Sequence, residues 1–169
     1  FVATTVSNTN IPNDYTNKYG QWGIDRIDLP QAWTGTTGSN TVVVGIIDTG
    51  IKGNHEDLAA NIAADKYHLN CTGDGTSPLS DQHGHGTQIA GVIGAVGNNN
   101  KGTVGACWNI KLASLKVYTY NASNNCFTAA LLFIKMSAAF YRVSKHAYRL
   151  PFLVGKLVHA LVQDEGIFR

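Results

Sequence analysis

The clearest indication of the fold class is the segment Val42-Val43-Val44-Gly45-Ile46-Ile47-Asp48-Thr49-Gly50. Its first six residues form a continuous apolar, largely β-branched run, which is typical of a strand buried on both faces of a parallel sheet. Small and apolar residues then recur at helical spacing over 87–96, with Gly91 and Gly94 on one side, where another backbone can approach closely. A second strand is predicted over 110–118. A strand, a helix and a second strand in this order predict an α/β fold with a central parallel sheet and flanking helices.

The segments around this unit are more polar. Residues 4–19 are rich in Asn and Thr and predict an extended surface arm, and Trp22 and Trp33 bracket a short helical stretch. Residues 66–84 contain many Asn, Gly, Ser, Pro and Asp residues, which predict a loop.

Length and composition place the chain among soluble globular proteins. It has 169 residues, 44% of them hydrophobic, and a mean hydropathy of −0.07, which suits one domain with its own core. No apolar run reaches the roughly 20 residues of a membrane helix, so we expect no membrane span. The chain begins with Phe1 rather than Met and shows no signal-peptide pattern, so we expect a processed or partial product.

Charge and glycine content change along the chain. Residues 1–110 contain nine acidic and five basic side chains, whereas residues 111–169 contain two acidic and eight basic ones. Sixteen of the eighteen glycines precede residue 111, so the tail lacks most of the residues that form tight turns. A basic excess of this size is typical of a solvated face, and we expect no nucleic-acid partner.

Two residues have the pattern of an acid and a base in nucleophilic hydrolysis. Asp48 ends a predicted buried strand, and ligands and catalytic groups collect at the carboxyl ends of parallel strands. His85 lies between two glycines at the start of a predicted helix, where a helix N-terminus disfavours the imidazolium. A carboxylate that orients an imidazole base is the arrangement that activates a nucleophile. For Asp48 alone, the simpler interpretation is a cap of the following turn.

Three motifs in the chain also match a known family in order and separation: Val44-Gly45-Ile46-Ile47-Asp48-Thr49-Gly50-Ile51, Asn54-His55-Glu56-Asp57-Leu58, and His85-Gly86-Thr87-Gln88-Ile89-Ala90-Gly91. They resemble the subtilisin-like serine proteases, the subtilase family, with the spacing of the thermitase type. The resemblance covers roughly residues 10–118. It implies the subtilisin-like three-layer α/β fold, incomplete here at its C-terminal side, and it implies that Asp48 and His85 belong to an Asp-His-Ser triad.

The resemblance further implies a structural calcium site. In the family this site joins the N-terminal arm, the acid after the first motif and the loop after the His helix. The matching side chains here are Asp14, Asp57 and Asn99, and the matching backbone carbonyls are those of Val96, Lys101 and Thr103. Carboxylate, amide and carbonyl oxygens are the ligands that a hard cation requires. The alternative is an Asn-rich turn beside two solvated acids, with the charge of Lys101 unfavourable for a cation.

Other kinds of site have weaker support. A transition-metal cluster would use His55, His83, His85, Glu56 and Asp57. The sequence lacks a His-x-x-x-His pair and a nearby cysteine, so this chemistry is not favoured. No G-x-G-x-x-G follows the first strand, which argues against a dinucleotide site. The three cysteines have no CxxC spacing and leave room for one disulfide and one free thiol.

The nucleophile of the triad is absent from the matching residues. The family carries it in a Gly-Thr-Ser-Met-Ala segment, which this sequence lacks, and Gly75-Thr76-Ser77 precedes the His motif and is a decoy. We predict that residues 1–125 are the N-terminal part of a subtilisin-like peptidase domain and that residues 126–169 are a divergent, basic, helical tail. A truncation, a frame change or a mis-spliced gene model would explain this tail, and a native helical extension is the alternative.

These observations together predict a serine endopeptidase that hydrolyses peptide bonds, present here without its nucleophile and inactive alone. Substrate would pair as an extended strand along the edge near residues 118–124. The expected partners are a peptide or protein substrate and a calcium ion, and the expected state is a monomer. The resemblance implies a secreted or extracellular protein. The alternative function is a non-catalytic module that binds calcium and a peptide.

Overall fold

The computed structural model describes residues 11–15 and 21–121, and the backbone of 126–129. The strands are β1 (Val43–Asp48), β2 (Leu69–Asn70), β3 (Lys111–Lys116), β4 (Tyr118–Asn121) and β5 (Cys126–Ala129). The α-helices are α1 (Trp22–Arg26), α2 (Leu29–Ala32) and α3 (His85–Gly94). Two short 3-10 helices, Ala59–Asn61 and Asp65–Tyr67, lie between β1 and β2.

Three parallel strands form the sheet, in the order β1-β3-β2. In the pairing of β1 with β3, Val43 lies opposite Lys111 and Asp48 lies opposite Lys116. Along the chain, β2 and α3 lie between β1 and β3, and α3 packs against both β1 and β3. The predicted α/β unit is therefore confirmed, with Asp48 at the carboxyl edge of the sheet.

Burial differs between the two long strands of this sheet. In β1, Ile46 is buried at 5% exposure, while its neighbours along the strand are half-buried or exposed. In β3, every residue from Leu112 to Lys116 is buried. The prediction of a strand buried on both faces is therefore wrong for β1 and suits β3 instead. The reason is topological, because β3 has a strand on each side and β1 lies at the edge of the described sheet.

One face of α3 fits closely against the sheet. Ala90 is fully buried, and a Cβ added at Gly94 would lie 2.8 Å from Cγ2 of Ile110 and 3.0 Å from Cδ2 of Leu112. A Cβ added at Gly91 would meet nothing within 4 Å. Close backbone approach is thus confirmed for Gly94 and is wrong for Gly91, because Gly94 lies four residues after the buried Ala90, on the same helix face, whereas Gly91 directly follows Ala90 and faces another way.

A second apolar cluster attaches the N-terminal helices to the rest of the molecule. Trp33 and Trp108 pack edge to face with ring centroids 5.1 Å apart, and Val104 is buried beside them. The indole N–H of Trp33 donates to the carbonyl of Ala106 over 2.9 Å. The short helical stretch predicted near Trp33 is present as α1 and α2.

Several predicted segments differ from the structure or lie outside the described residues. The predicted loop 66–84 contains β2, which pairs with β3. The predicted helical tail begins instead with β5, antiparallel to β4, because backbone pairing with β4 is available there. The rest of the tail, 130–169, and residues 1–10 and 16–20 of the arm lie outside the described residues. Within the described part, no helix is long and apolar enough to cross a membrane.

Candidate active site

Asp48 and His85 meet at the carboxyl edge of the sheet. Nδ1 of His85 lies 2.9 Å from both carboxylate oxygens of Asp48. A carboxylate only accepts hydrogen bonds, so Nδ1 carries the proton and Nε2 is the basic nitrogen. The Asp48 side chain is 13% exposed and the His85 side chain 54%, which leaves the ring accessible. In the described part of the chain, no residue hydrogen-bonds to Nε2.

Glycines allow the start of α3 to approach the end of β1. Gly84, the N-cap of α3, has a φ of 93°, a left-handed conformation that favours glycine. A Cβ added at Gly86 would overlap the carbonyl oxygen of Gly50 and lie 3.0 Å from Cβ of Asp48. The two glycines beside His85 therefore differ in function: Gly84 adopts the left-handed turn before α3, and Gly86 allows α3 to contact the backbone of Gly50.

Asp81 connects the two elements that carry this pair, and no motif in the sequence pointed to it. Its Oδ1 accepts hydrogen bonds from the hydroxyl of Thr49 and from the backbone N–H groups of His83 and Gly84. Its Oδ2 accepts from the backbone N–H and the hydroxyl of Thr87. Burial acts to raise the pKa of Asp81, but these hydrogen bonds outweigh it and hold the pKa below its usual value. An acid shortly before a helix start is the signal that could have identified it.

No serine in the described residues is arranged to act with His85. Ser39, Ser77, Ser80 and Ser114 are the serines there, and none hydrogen-bonds to the His85 ring. The hydroxyl of Ser77 accepts from the backbone N–H of Leu79, 3.1 Å away, in a local turn. The interpretation of Gly75-Thr76-Ser77 as a decoy fits this geometry.

The three side chains proposed for calcium come together. The backbone N–H of Asn99 donates to Oδ2 of Asp14 over 3.1 Å, and its side-chain amide donates to Oδ1 of Asp57 over 2.8 Å. Both carboxylates are buried, at 6% and 3% exposure. Oδ1 of Asp14 is buried, and among the residues that the structure describes it has no hydrogen-bond partner. A buried acceptor left unpaired beside a second buried carboxylate is a chemically suitable environment for a cation.

The backbone of the loop after α3 wraps around this cluster. The N–H of Val96 donates to the backbone carbonyl of Asp57, and the N–H of Thr103 donates to its Oδ2 over 2.9 Å. Nζ of Lys101 lies 3.7 Å from the exposed carboxylate of Glu56, so its charge is directed to a surface partner. In the described residues, neither Asp14 nor Asp57 forms an ion pair.

The hypothesis of a transition-metal cluster finds no support in the described residues. Groups of three or more His, Cys, Asp or Glu side chains suited to a metal are absent there. The set predicted for calcium would differ in kind, because it would combine two carboxylates with an amide and backbone carbonyls. Nδ1 of His55 instead accepts from the N–H of Asp57, 3.2 Å away.

The predicted substrate edge is partly occupied by the chain itself. β4 pairs with β5, with Tyr120 opposite Phe127, and residues 122–125 lie outside the described residues. The Tyr120 ring packs edge to face against His83, with centroids 4.8 Å apart, and His83 lies 6.3 Å from His85. This places β4 beside the Asp48 and His85 pair, with one of its edges already hydrogen-bonded.

The described residues form an α/β fold in which an aspartate and a histidine meet at the carboxyl edge of a parallel sheet. A model of the subtilase family matches residues 39–140, and the chain belongs to that family. Thermitase from Thermoactinomyces vulgaris is 33% identical over 118 residues, which cover 70% of this chain and 40% of thermitase. Minor extracellular protease Epr from Bacillus subtilis is 34% identical over 115 residues, covering 66% of this chain and 16% of Epr.

A solved structure, MycP1 with its N-terminal propeptide removed, aligns with a TM-score of 0.49 and 25% identity. The alignment covers 75% of this chain and 34% of that one. The chain thus spans less than half the length of the relatives it matches. The predicted family and α/β class are confirmed, and the roles of the individual site residues stay predictions.

Proposed function

We propose that Asp48 and His85 are the orienting acid and the general base of a serine endopeptidase. The observation that carries this proposal is the contact of Nδ1 of His85 with both oxygens of Asp48, at 2.9 Å each. Asp48 fixes the tautomer in which Nε2 is unprotonated and stabilises the imidazolium that forms later. Nε2 takes the proton of a serine hydroxyl and afterwards gives it to the leaving amine, with an acyl-enzyme between the two steps.

No serine of the 169-residue chain lies in the family's Gly-Thr-Ser-Met-Ala motif. We therefore expect the chain to be inactive alone. Its substrate class is a peptide or protein. The name of the extracellular protease Epr supports a secreted location for the parent protein, and we expect that protein to act as a monomer.

A fluorophosphonate probe, which labels only activated serines, tests the proposal. We expect no labelling of the 169-residue chain. A longer product of the same gene that contains Gly-Thr-Ser-Met-Ala should be labelled, and His85→Ala should abolish that labelling. His83→Ala is the matched control, because His83 is an exposed neighbour with no contact to Asp48. Labelling that survives His85→Ala would refute the assigned base.

We propose further that Asp14, Asp57 and Asn99 hold a structural calcium ion, completed by the carbonyls of Val96, Lys101 and Thr103. The unpaired, buried Oδ1 of Asp14 supports the proposal. The ion would neutralise two buried carboxylates and join residues 11–15 to the loop after α3. It would have no part in the chemical step.

Thermal unfolding of the 169-residue chain with calcium or with a chelator tests this site. A ligand at 100 times its Kd stabilises the folded state by about 2.7 kcal/mol, which raises Tm measurably. Asp57→Asn should abolish the calcium-dependent rise, and Asp65→Asn, at an exposed acid, should retain it. An equal rise with magnesium, or a rise that persists in Asp57→Asn, would contradict the proposal.

A second candidate function, a non-catalytic module that binds calcium and a peptide, is favoured by the absence of a Gly-Thr-Ser-Met-Ala segment from the 169 residues. The two candidates differ in the probe experiment. A calcium-dependent Tm combined with no labelled product of any length would favour the binding module.

A further inference from the structure

We infer that Asp81 is a positioning residue that fixes the start of α3 against the end of β1 and thereby holds the His85 ring on Asp48. The inference rests on the proposed roles of Asp48 and His85. Asp81 itself touches neither side chain of the pair, and it acts through their backbone neighbours.

Asp81 contacts both sides of the junction between strand and helix. On the strand side, it accepts from the hydroxyl of Thr49, the residue after Asp48, over 2.9 Å. On the helix side, Gly84 immediately precedes His85, and its N–H donates to Asp81 over 2.8 Å. Thr87, two residues after His85, donates its backbone N–H over 2.9 Å and its hydroxyl over 2.6 Å.

Two further hydrogen bonds extend this network across the junction. The hydroxyl of Thr49 accepts from the buried N–H of Gly86, 3.0 Å away. The hydroxyl of Thr87 accepts from the N–H of Lys52, 2.9 Å away. The hydroxyls that donate to Asp81 are thus oriented by the opposite element in each case. A rotation of α3 away from β1 would break several of these bonds together.

The chemistry of the network requires a carboxylate. Backbone N–H groups face both oxygens of Asp81, those of His83 and Gly84 at Oδ1 and that of Thr87 at Oδ2. An asparagine in either orientation would point its NH₂ group at a backbone N–H. Asp81→Asn therefore keeps the size of the side chain and removes the backbone hydrogen bonds to one of its two oxygens.

The test is NMR of the His85 imidazole in the ¹⁵N-labelled 169-residue chain, assigned with His85→Gln. In the wild type we expect a protonated, hydrogen-bonded Nδ1. Asp48→Asn defines the signals of a ring without its partner. In Asp81→Asn, the ¹⁵N chemical shifts of the His85 ring should change to values close to those of Asp48→Asn, and the Nδ1 proton signal should be lost. Thr49→Val should shift them in the same direction, and Thr49→Ser, which keeps the hydroxyl, should leave them unchanged.

Each result has one meaning. If Asp81→Asn lowers Tm but leaves the His85 signals as in the wild type, Asp81 is merely structural and the inference is wrong. If Asp81→Asn does not fold, the Thr49 pair decides, because identical His85 signals in Thr49→Val and Thr49→Ser also overturn it. If Asp48→Asn itself leaves the His85 signals unchanged, the proposed function fails, whatever Asp81 does.

Discussion

Alanine substitutions at two glycines of α3 should have opposite effects on stability. Both substitutions gain about 0.5–1 kcal/mol, because alanine loses less conformational entropy than glycine in a helix. At Gly94 the new Cβ would lie 2.8 Å from Ile110 and 3.0 Å from Leu112, well inside the 3.5–4.0 Å of ordinary carbon contacts. Ile110 and Leu112 are buried at 5% and 0% exposure, so they cannot move aside into solvent. Gly91 has open space.

The two variants differ in this steric term. Overpacking a core costs about 1–3 kcal/mol, and Gly94, as the last residue of α3, gains no more from helix propensity than Gly91 does. We therefore expect the free energy of unfolding of Gly94→Ala to be about 1–3 kcal/mol lower than that of Gly91→Ala. At about 2–4 °C per kcal/mol for a chain of this size, their Tm values should differ by several degrees.

Urea unfolding followed by circular dichroism measures the difference directly. The m-values of the two variants should agree, since the surface exposed on unfolding is the same. If Gly94→Ala is as stable as Gly91→Ala, the face of α3 that packs on β3 has been assigned wrongly. The placement of His85 by α3 would then lose its structural basis.

Two further substitutions test the site and the sheet edge. Gly86→Ala should separate α3 from Gly50 and lengthen the bond between His85 and Asp48, which NMR would detect as loss of the Nδ1 proton signal. Asp74→Asn should destabilise the protein at pH 7 and progressively less below about pH 4. Burial raises the pKa of Asp74, but hydrogen bonds from nearby threonines and an asparagine outweigh it and hold the pKa well below its usual range. A depressed pKa contributes stability above the unfolded pKa that is lost on acidification, and pH-dependent urea unfolding measures it.

Each of these has a control. The control for Gly86→Ala is Gly91→Ala, which lies in the same helix and causes no steric conflict. An unchanged Nδ1 proton signal in Gly86→Ala would contradict the close contact of Gly86 with Gly50. For Asp74→Asn the control is Asp65→Asn, at an exposed acid. Asp74 also lies 3.2 Å from the buried ammonium of Lys116, and this ion pair likewise requires the ionised carboxylate, so a loss of stability that is independent of pH would refute the depressed pKa of Asp74.

The sequence was sufficient to predict the central strand-helix-strand unit and to single out the two residues proposed as acid and base. A continuous apolar run, a helical repeat and a second strand after the Asn-rich turn 98–102 are local patterns, and they identified β1, α3 and β3. The motifs around Asp48 and His85 are also local, so their roles could be predicted before any contact was known. The resemblance to the subtilases rested on the same short segments and is confirmed by the family match.

Tertiary structure alone decided how these elements contact one another. The sequence could not show that Gly94, and not Gly91, contacts the sheet, because the face of a helix that packs inward depends on the neighbouring elements. It could not show that β3 is more buried than β1, since burial depends on strand order. The sequence did not indicate a role for Asp81, because one of its hydrogen-bond donors, Thr49, lies 32 residues away along the chain. The role of this carboxylate follows from the groups that hydrogen-bond to it in the folded protein.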